Sequence, residues 1–300
     1  MDNYGETFRT IREQKGYTMK QVSQGIVSIS FLSKFERGDS DISLTSFIEL
    51  LHRISVTFEE FQFLHNNNRT EIMETFFQEA GDAYMNRNVG QLDRLKKQEL
   101  DKWQKTGMEP FRCNAIMINV YESLVQWTKF VAAEGDLEFL YDYLFKVEVW
   151  GYYELRLYNS TILLMNPDMV LNLSKTIYEK SDQMKQHPKL HKTIISIMLN
   201  TLIYLTGGQS PAFLYERECE KVFLYLDEIG IDEHDLHASN ELIAMRGLVE
   251  IRRGDREKGI RLVKDSIKTL KKLGALKLAR EKEDYLDLVI RKFPDSEDTW

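Results

Sequence analysis

In the stretch Ser28-Ile-Ser-Phe-Leu-Ser-Lys-Phe-Glu-Arg37, Ser30, Lys34 and Arg37 fall at i, i+4 and i+7 and share one face of a helix. Leu32 and Phe35 fall on the opposite face. A helix that carries small hydroxyls and cations outward can enter a major groove, where Ser pairs with donors or acceptors and Lys meets guanine edges or phosphate. Ser28, Ser30 and Lys34 are the candidate base readers. Phe31 is either core or a contact for a thymine methyl. Thr18 and Lys20, at the start of the preceding helical segment, can hold backbone phosphates with help from the helix dipole. Arg9 and Arg37 belong to the same basic set.

Other chemistry finds little support. The chain has no Gly-rich phosphate loop, nucleophile elbow or HExxH helix. His187 and His191 have the i, i+4 spacing of two metal ligands, but Pro188 opens a helix at that point. His234 and His237 lie in an acidic segment, EHDLH, suited at best to weak cation scavenging. No enzyme, metal or cofactor is expected. Cys113 and Cys219 are isolated, with no spacing for a disulfide framework or a metal knuckle, which fits a reducing cytoplasm. The polar N-terminus MDNYGETFRTIREQKG excludes a signal peptide. The longest apolar run, residues 193–205, is well short of the roughly 20 residues a membrane span needs.

Charge sharpens the first observation. The chain of 300 residues carries a net charge of −7, yet between residues 7 and 38 Arg9, Arg12, Lys15, Lys20, Lys34 and Arg37 face only Glu13 and Glu36. A small basic face on an acidic protein can recruit a duplex while the remaining surface limits indiscriminate adhesion. The elements needed to position it are legible. A first helix runs from Gly5 to Lys15 with Phe8 and Ile11 inward; Thr18-Met-Lys-Gln21 is a capping box that opens a second, which can run only as far as Gly25. Ser28 caps the third, which Gly38 stops. Ser43 caps the fourth, and Thr57-Phe-Glu-Glu60 is a capping box for the fifth. Five short helices, two joined by a tight turn, make a helix-turn-helix head over residues 1–65.

The segment from residues 4 to 64 resembles the phage-repressor-like helix-turn-helix domain, and VSQGIVSISFLSKFERGDSDISL (residues 22–44) is similar to the wording of the Rgg/GadR/MutR regulators. The turn at Gly25-Ile26-Val27 is one residue short of the general repressor pattern, a feature that favours this narrower family. The resemblance implies an internal ion pair between Arg12 and Glu36, leaving those two charges with a structural role.

A polar run follows at residues 66–70, the expected linker, and from 71 to 300 the chain changes character. Helical segments at 71–87, 90–105, 111–133, 136–149, 151–165, 168–186, 189–206, 211–229, 236–253, 256–273 and 276–292 alternate with Gly, Asn and Pro punctuation. Pairs of helices at this repeat length predict an all-α chain whose C-terminal part is a tetratricopeptide-like (TPR-like) α-solenoid with a concave face. The aromatic-rich stretch at 147–166, with Arg156 and Asn159, suits a short apolar peptide: rings cover its side chains, amides pair with its backbone and Arg156 fixes a carboxylate. The family resemblance implies a signalling peptide as ligand. Arg156 is the first candidate contact, followed by Trp150, Tyr153, Asn159, Asn200, Tyr204 and Asn240. The alternative is ordinary core packing for the rings and an ion pair from Arg156 to Glu154 or Glu122.

Three functional classes emerge: a cytoplasmic, homodimeric transcription regulator that binds double-stranded DNA and whose DNA or RNA polymerase contact is altered by a peptide in quorum sensing; a repressor whose helical domain takes a protein partner; and an interaction scaffold whose head has lost DNA. Retention of Ser28, Ser30 and Lys34 argues against the third. The segment 256–292 is the expected dimer contact, and no Cys in the head or linker can tie it covalently.

Overall fold

The computed structural model describes residues 3–66, 72–126, 135–180, 187–207 and 215–293; these are helices and connecting turns, with no strand among them. The chain divides into two compact units, Met1–Asn86 and Arg87–Trp300. Of the expected linker, only Asn66 lies within the described residues.

In the first unit every helix of the head begins on a side chain that satisfies its open backbone donors. Asn3 caps α1 (Tyr4–Gln14), the Thr18–Gln21 box opens α2 (Met19–Ser23), and Ser28 caps α3 (Ile29–Arg37). Ser43 caps α4 (Leu44–Arg53), and the Thr57–Glu60 box opens α5 (Phe58–His65). A further helix, α6 (Ile72–Met85), belongs to this unit. The inward residues form one core, with Phe8, Leu32, Phe35, Phe47, Leu50 and Phe61 at its centre. Phe47 meets Phe61 edge-on at 4.8 Å and Phe35 at 5.8 Å. The second helix ends at Ser23, within the limit set by Gly25. Gln24 turns extended and Gly25 adopts φ +79°, while Arg53 donates to the freed carbonyls of Gln21 and Gln24 at 3.4 and 3.2 Å.

Two contacts seat α3. A Cβ on Gly5 would lie 1.8 Å from the Phe35 carbonyl oxygen, so only glycine lets α1 and α3 approach this closely. Beside it, Arg12 donates to both carboxylate oxygens of Glu36, at 2.6 and 2.8 Å, and to the Tyr17 carbonyl at 2.8 Å. Both side chains of this ion pair belong to residues 5% exposed.

The second unit is a succession of helices: α7 (Val89–Thr106), α8 (Glu109–Gln126), α9 (Asp136–Lys146), α10 (Tyr152–Thr161), α11 (Pro167–Lys180), α12 (Pro188–Thr206), α13 (Glu216–Ile229), α14 (Leu236–Arg253), α15 (Arg256–Lys272) and α16 (Leu276–Lys292). Short turns at Gly107 and Gly254 fold α7 onto α8 and α14 onto α15. The helices α8, α10, α12 and α14 pack in sequence, each on the next, the row expected of a TPR-like fold. Helix α14 crosses α15 closely: a Cβ at Gly259 would lie 2.5 Å from the Gly247 carbonyl oxygen. Two helices stop earlier than their periodicity suggests. Val147 turns extended after α9, bringing Trp150 back to the Leu144 carbonyl, and α10 ends in a 3-10 turn, Ile162–Leu164, before Asn166-Pro167. No helix among the described residues is long and apolar enough to cross a membrane.

Two stability outcomes follow from the seat of α3. Glu36→Ala leaves a buried guanidinium without its carboxylate and costs roughly 3–5 kcal/mol, whereas the double change Arg12→Met with Glu36→Leu recovers most of that loss. Gly5→Ala also destabilises the head, because α1 and α3 must separate. Urea unfolding followed by circular dichroism checks all three.

Candidate functional site

On α3 the capping hydroxyl of Ser28 accepts from the Phe31 amide at 3.1 Å and lies 3.0 Å from the Ser30 hydroxyl. Ser28, Ser30 and Lys34 are exposed, while Leu32, Phe35 and Glu36 are buried beneath them. Phe31 is half-buried. Thr18 and Lys20 are exposed at the start of α2, with the Thr18 hydroxyl donating to the Gln21 side chain at 2.8 Å. Lys20 and Lys34 make no ion pair among the described residues, so their charge is available to an approaching anion. Arg9 and Arg37 are exposed but already paired: Arg9 with Glu13 at 2.9 Å, and Arg37 with Asp39 at 2.8 Å and the Ser33 hydroxyl at 2.6 Å. Their attraction for phosphate is reduced accordingly. The residue sequence reading passed over is Arg53, which holds the α2–α3 turn; its only local signal is a cation in the last turn of α4.

In the second unit the seven candidate contacts divide by what their polar groups already do. Trp150 is 1% exposed, and its indole N–H donates to the Leu144 carbonyl at 3.1 Å, so its ring is core that supports α10. The Tyr153 hydroxyl lies 2.8 Å from the Pro110 carbonyl and 3.0 Å from the Asn114 side-chain oxygen, and burial raises its pKa. The Tyr204 hydroxyl donates to the Met165 carbonyl at 2.7 Å. These rings brace the row of helices. Asn159 on α10 and Asn200 on α12 are half-buried and bonded to one another, the Asn200 amide donating at 2.8 Å. Asn240 on α14 differs: it is 4% exposed, and neither amide atom has a hydrogen-bond partner among the described residues. Arg156 is half-buried on α10. Glu154 takes bonds from the Gly151 amide and the Tyr143 hydroxyl, and Glu122 pairs with Lys96.

The remaining candidates for chemistry are quiet. Burial pushes both thiols, Cys113 and Cys219, up to about 12. Neither is a thiolate at neutral pH. Among the described residues no group of three or more His, Cys, Asp or Glu could hold a metal ion. His191 faces the Ile229 carbonyl at 3.4 Å, and His234 bonds to Asp232 at 2.9 Å.

The structure is similar to that of the SHP pheromone receptor Rgg2 of Streptococcus dysgalactiae, with a TM-score of 0.77 and 22% identity over 95% of this chain and 98% of that one. It also matches a protein of Listeria monocytogenes EGD-e, with a TM-score of 0.83 and 21% identity over 97% of this chain and 98% of that one. PrgX in its complex with iCF10 gives 0.70 at 14% identity, over 99% of this chain and all of that one. These likenesses establish a shared fold. The family profiles go further. A helix-turn-helix profile matches residues 8–61, and the profile of the C-terminal domain of the HTH-type transcriptional regulator Rgg matches residues 92–284. The second match covers well over half of the chain, which therefore belongs to the Rgg family of helix-turn-helix transcription regulators.

Proposed function

We propose that the protein is a cytoplasmic, sequence-specific DNA-binding regulator, dimeric on DNA, whose activity responds to a short apolar signalling peptide bound by its helical-repeat domain. One observation carries the DNA part. The outer face of α3 offers Ser28, Ser30 and Lys34 to solvent, while the folding of the head uses only the opposite face. A helix so arranged can enter a major groove without any loss of core packing. Lys20 and Thr18 lie at the start of α2 to meet phosphate. Two small heads related by a two-fold axis would read two half-sites, and α15–α16 are the proposed dimer contact. The head, residues 1–65, does the reading; residues 71–300 bind the peptide and dimerise.

The peptide part rests on amides. Asn159, Asn200 and Asn240 sit on α10, α12 and α14, successive members of one packed row. The first two exchange a bond that an incoming backbone could replace, and the third has unmet donors and an unmet acceptor. An extended peptide backbone supplies complementary groups at regular intervals. Arg156, on the same helix as Asn159, is the proposed partner of a peptide carboxylate. Rgg2 is a pheromone receptor and PrgX has been solved with iCF10, which supports this class of ligand over a protein partner.

In a DNA selection with the intact chain, Lys34→Ala weakens binding to the recovered operator by about 1–3 kcal/mol and relaxes preference at one position, whereas Lys20→Ala weakens binding to all sequences and lowers the salt dependence. Unchanged affinity for both variants defeats the α3 assignment. With short synthetic apolar peptides, a ligand at about 100 times its Kd stabilises the chain by about 2.7 kcal/mol. Asn240→Leu keeps the ligand-free thermal midpoint, since the amide makes no bond to lose, but it removes most of the peptide-induced shift. Arg156→Ala reduces the shift as well. Stabilisation by peptide that both variants retain would place the ligand elsewhere.

A further inference from the structure

Helix α15 carries seven cations against two carboxylates, on a chain whose net charge is −7. Three of the seven are engaged in the fold. Arg256 donates to the carbonyls of Ile290 and Phe293, Lys258 pairs with Glu250 at 3.1 Å, and Lys271 pairs with Glu283 at 2.6 Å. The other four, Arg261, Lys264, Lys268 and Lys272, are exposed and make no ion pair or hydrogen bond among the described residues. They fall at i, i+3, i+7 and i+11, on one face of the helix, and span roughly 16 Å of its axis. Val263, Ile267 and Leu270 are buried on the opposite face, so the packing of α15 does not use the stripe.

Like charges at this spacing repel one another along a helix, and carboxylates at the same spacing on a second helix meet them in register. Two further observations narrow the partner. The carboxylates of α15, Glu257 and Asp265, are exposed on the same side as the stripe. They repel a phosphate backbone, whereas a protein segment can pair them with cations of its own. At the C-terminal end of the stripe the α15–α16 turn leaves Leu273 62% and Leu276 65% exposed. A duplex presents phosphate and sugar to such side chains; an amphipathic segment presents an apolar contact. We propose that the outer face of α15 and the turn after it dock an acidic amphipathic helical segment of a partner protein, its carboxylates on the stripe and its apolar side chains on the two leucines. A two-fold contact of this face with its own copy would set cation against cation, so the dimer contact falls to α16.

The test uses the intact chain and two fluorescein-labelled, alanine-based helical peptides, one with Glu at i, i+3, i+7 and i+11 and Leu at both ends, the other with Gln in place of each Glu. By fluorescence anisotropy the Glu peptide is expected to bind saturably, with the Gln peptide about tenfold or more weaker and the difference shrinking as salt is raised. Lys264→Ala combined with Lys268→Ala lowers affinity for the Glu peptide about three- to thirtyfold, the worth of two exposed ion pairs, without lowering the thermal midpoint. Leu276→Ser also weakens the Glu peptide. Absence of saturable binding, or binding that survives the double substitution, overturns the proposal. So does a loss of affinity for random-sequence duplex DNA in the double variant, which assigns the face to nucleic acid, or a change in its oligomeric state by sedimentation, which assigns the face to a contact between copies. Titrations of the double variant with short apolar peptides are unchanged, so the outcome is independent of the signalling-peptide reading.

Discussion

Helix α3 is held by backbone proximity and one buried charge pair, and both act on its underside. The Phe35 carbonyl packs where a Cβ of residue 5 would otherwise be, and the next residue, Glu36, accepts hydrogen bonds from two of the Arg12 nitrogens. A buried ion pair adds little to stability compared with apolar packing, but it is intolerant of displacement, because either partner left alone is a buried charge. The pair therefore works as a register pin. It fixes the rotation of α3 about its own axis, and with it the direction in which Ser30 and Lys34 project. Lys34 on the outer face makes no side-chain hydrogen bond or ion pair among the described residues, so a substitution there costs the fold little.

The helical domain follows a different economy of contacts. Its row of α8, α10, α12 and α14 is tied crosswise by hydroxyls and amides whose partners lie far along the chain, such as Tyr121 to Ser160, Asn200 to Asn159 and Tyr204 to the Met165 carbonyl. These bonds align successive helices more than they add to stability, since each replaces a bond to water. Against that background Asn240 is an exception, a buried side-chain amide with no hydrogen-bond partner among the described residues. At its far end α16 is fastened by Arg256 to the carbonyls of Ile290 and Phe293, by Lys282 to Glu241, and by Lys292 to the Gly207 carbonyl. Glu241 neighbours Asn240, so the last helix is anchored beside the unmet amide.

Helix caps were the most legible feature of the chain. Ser28, Ser43 and the boxes at Thr18 and Thr57 act within three residues of themselves, so their geometry is encoded locally. The inward and outward faces of α3 were legible for the same reason. The connection after α2 involves a distant partner and was not legible: Arg53, some thirty residues on, donates to the carbonyls of Gln21 and Gln24. The aromatic candidates show the limit most clearly. Trp150, Tyr153 and Tyr204 have helical spacing compatible with a ligand face, yet each polar tip is taken up by a backbone carbonyl, those of Tyr153 and Tyr204 by carbonyls about forty residues away. Periodicity reports which side of a helix is apolar, and it carries no information on where a hydroxyl finds its acceptor. The Asn series was readable by type and spacing, but the distinction between the bonded pair and the unmet amide exists only in three dimensions.

The burial of both cysteines has a practical side. Cys113 and Cys219 are the chain's whole complement of thiols, each enclosed within the helical domain and fully protonated at neutral pH. A maleimide dye offered to the folded protein would therefore find no natural attachment point, and one engineered cysteine on the outer surface of the head would become a unique label. The native background is already suited to single-molecule fluorescence.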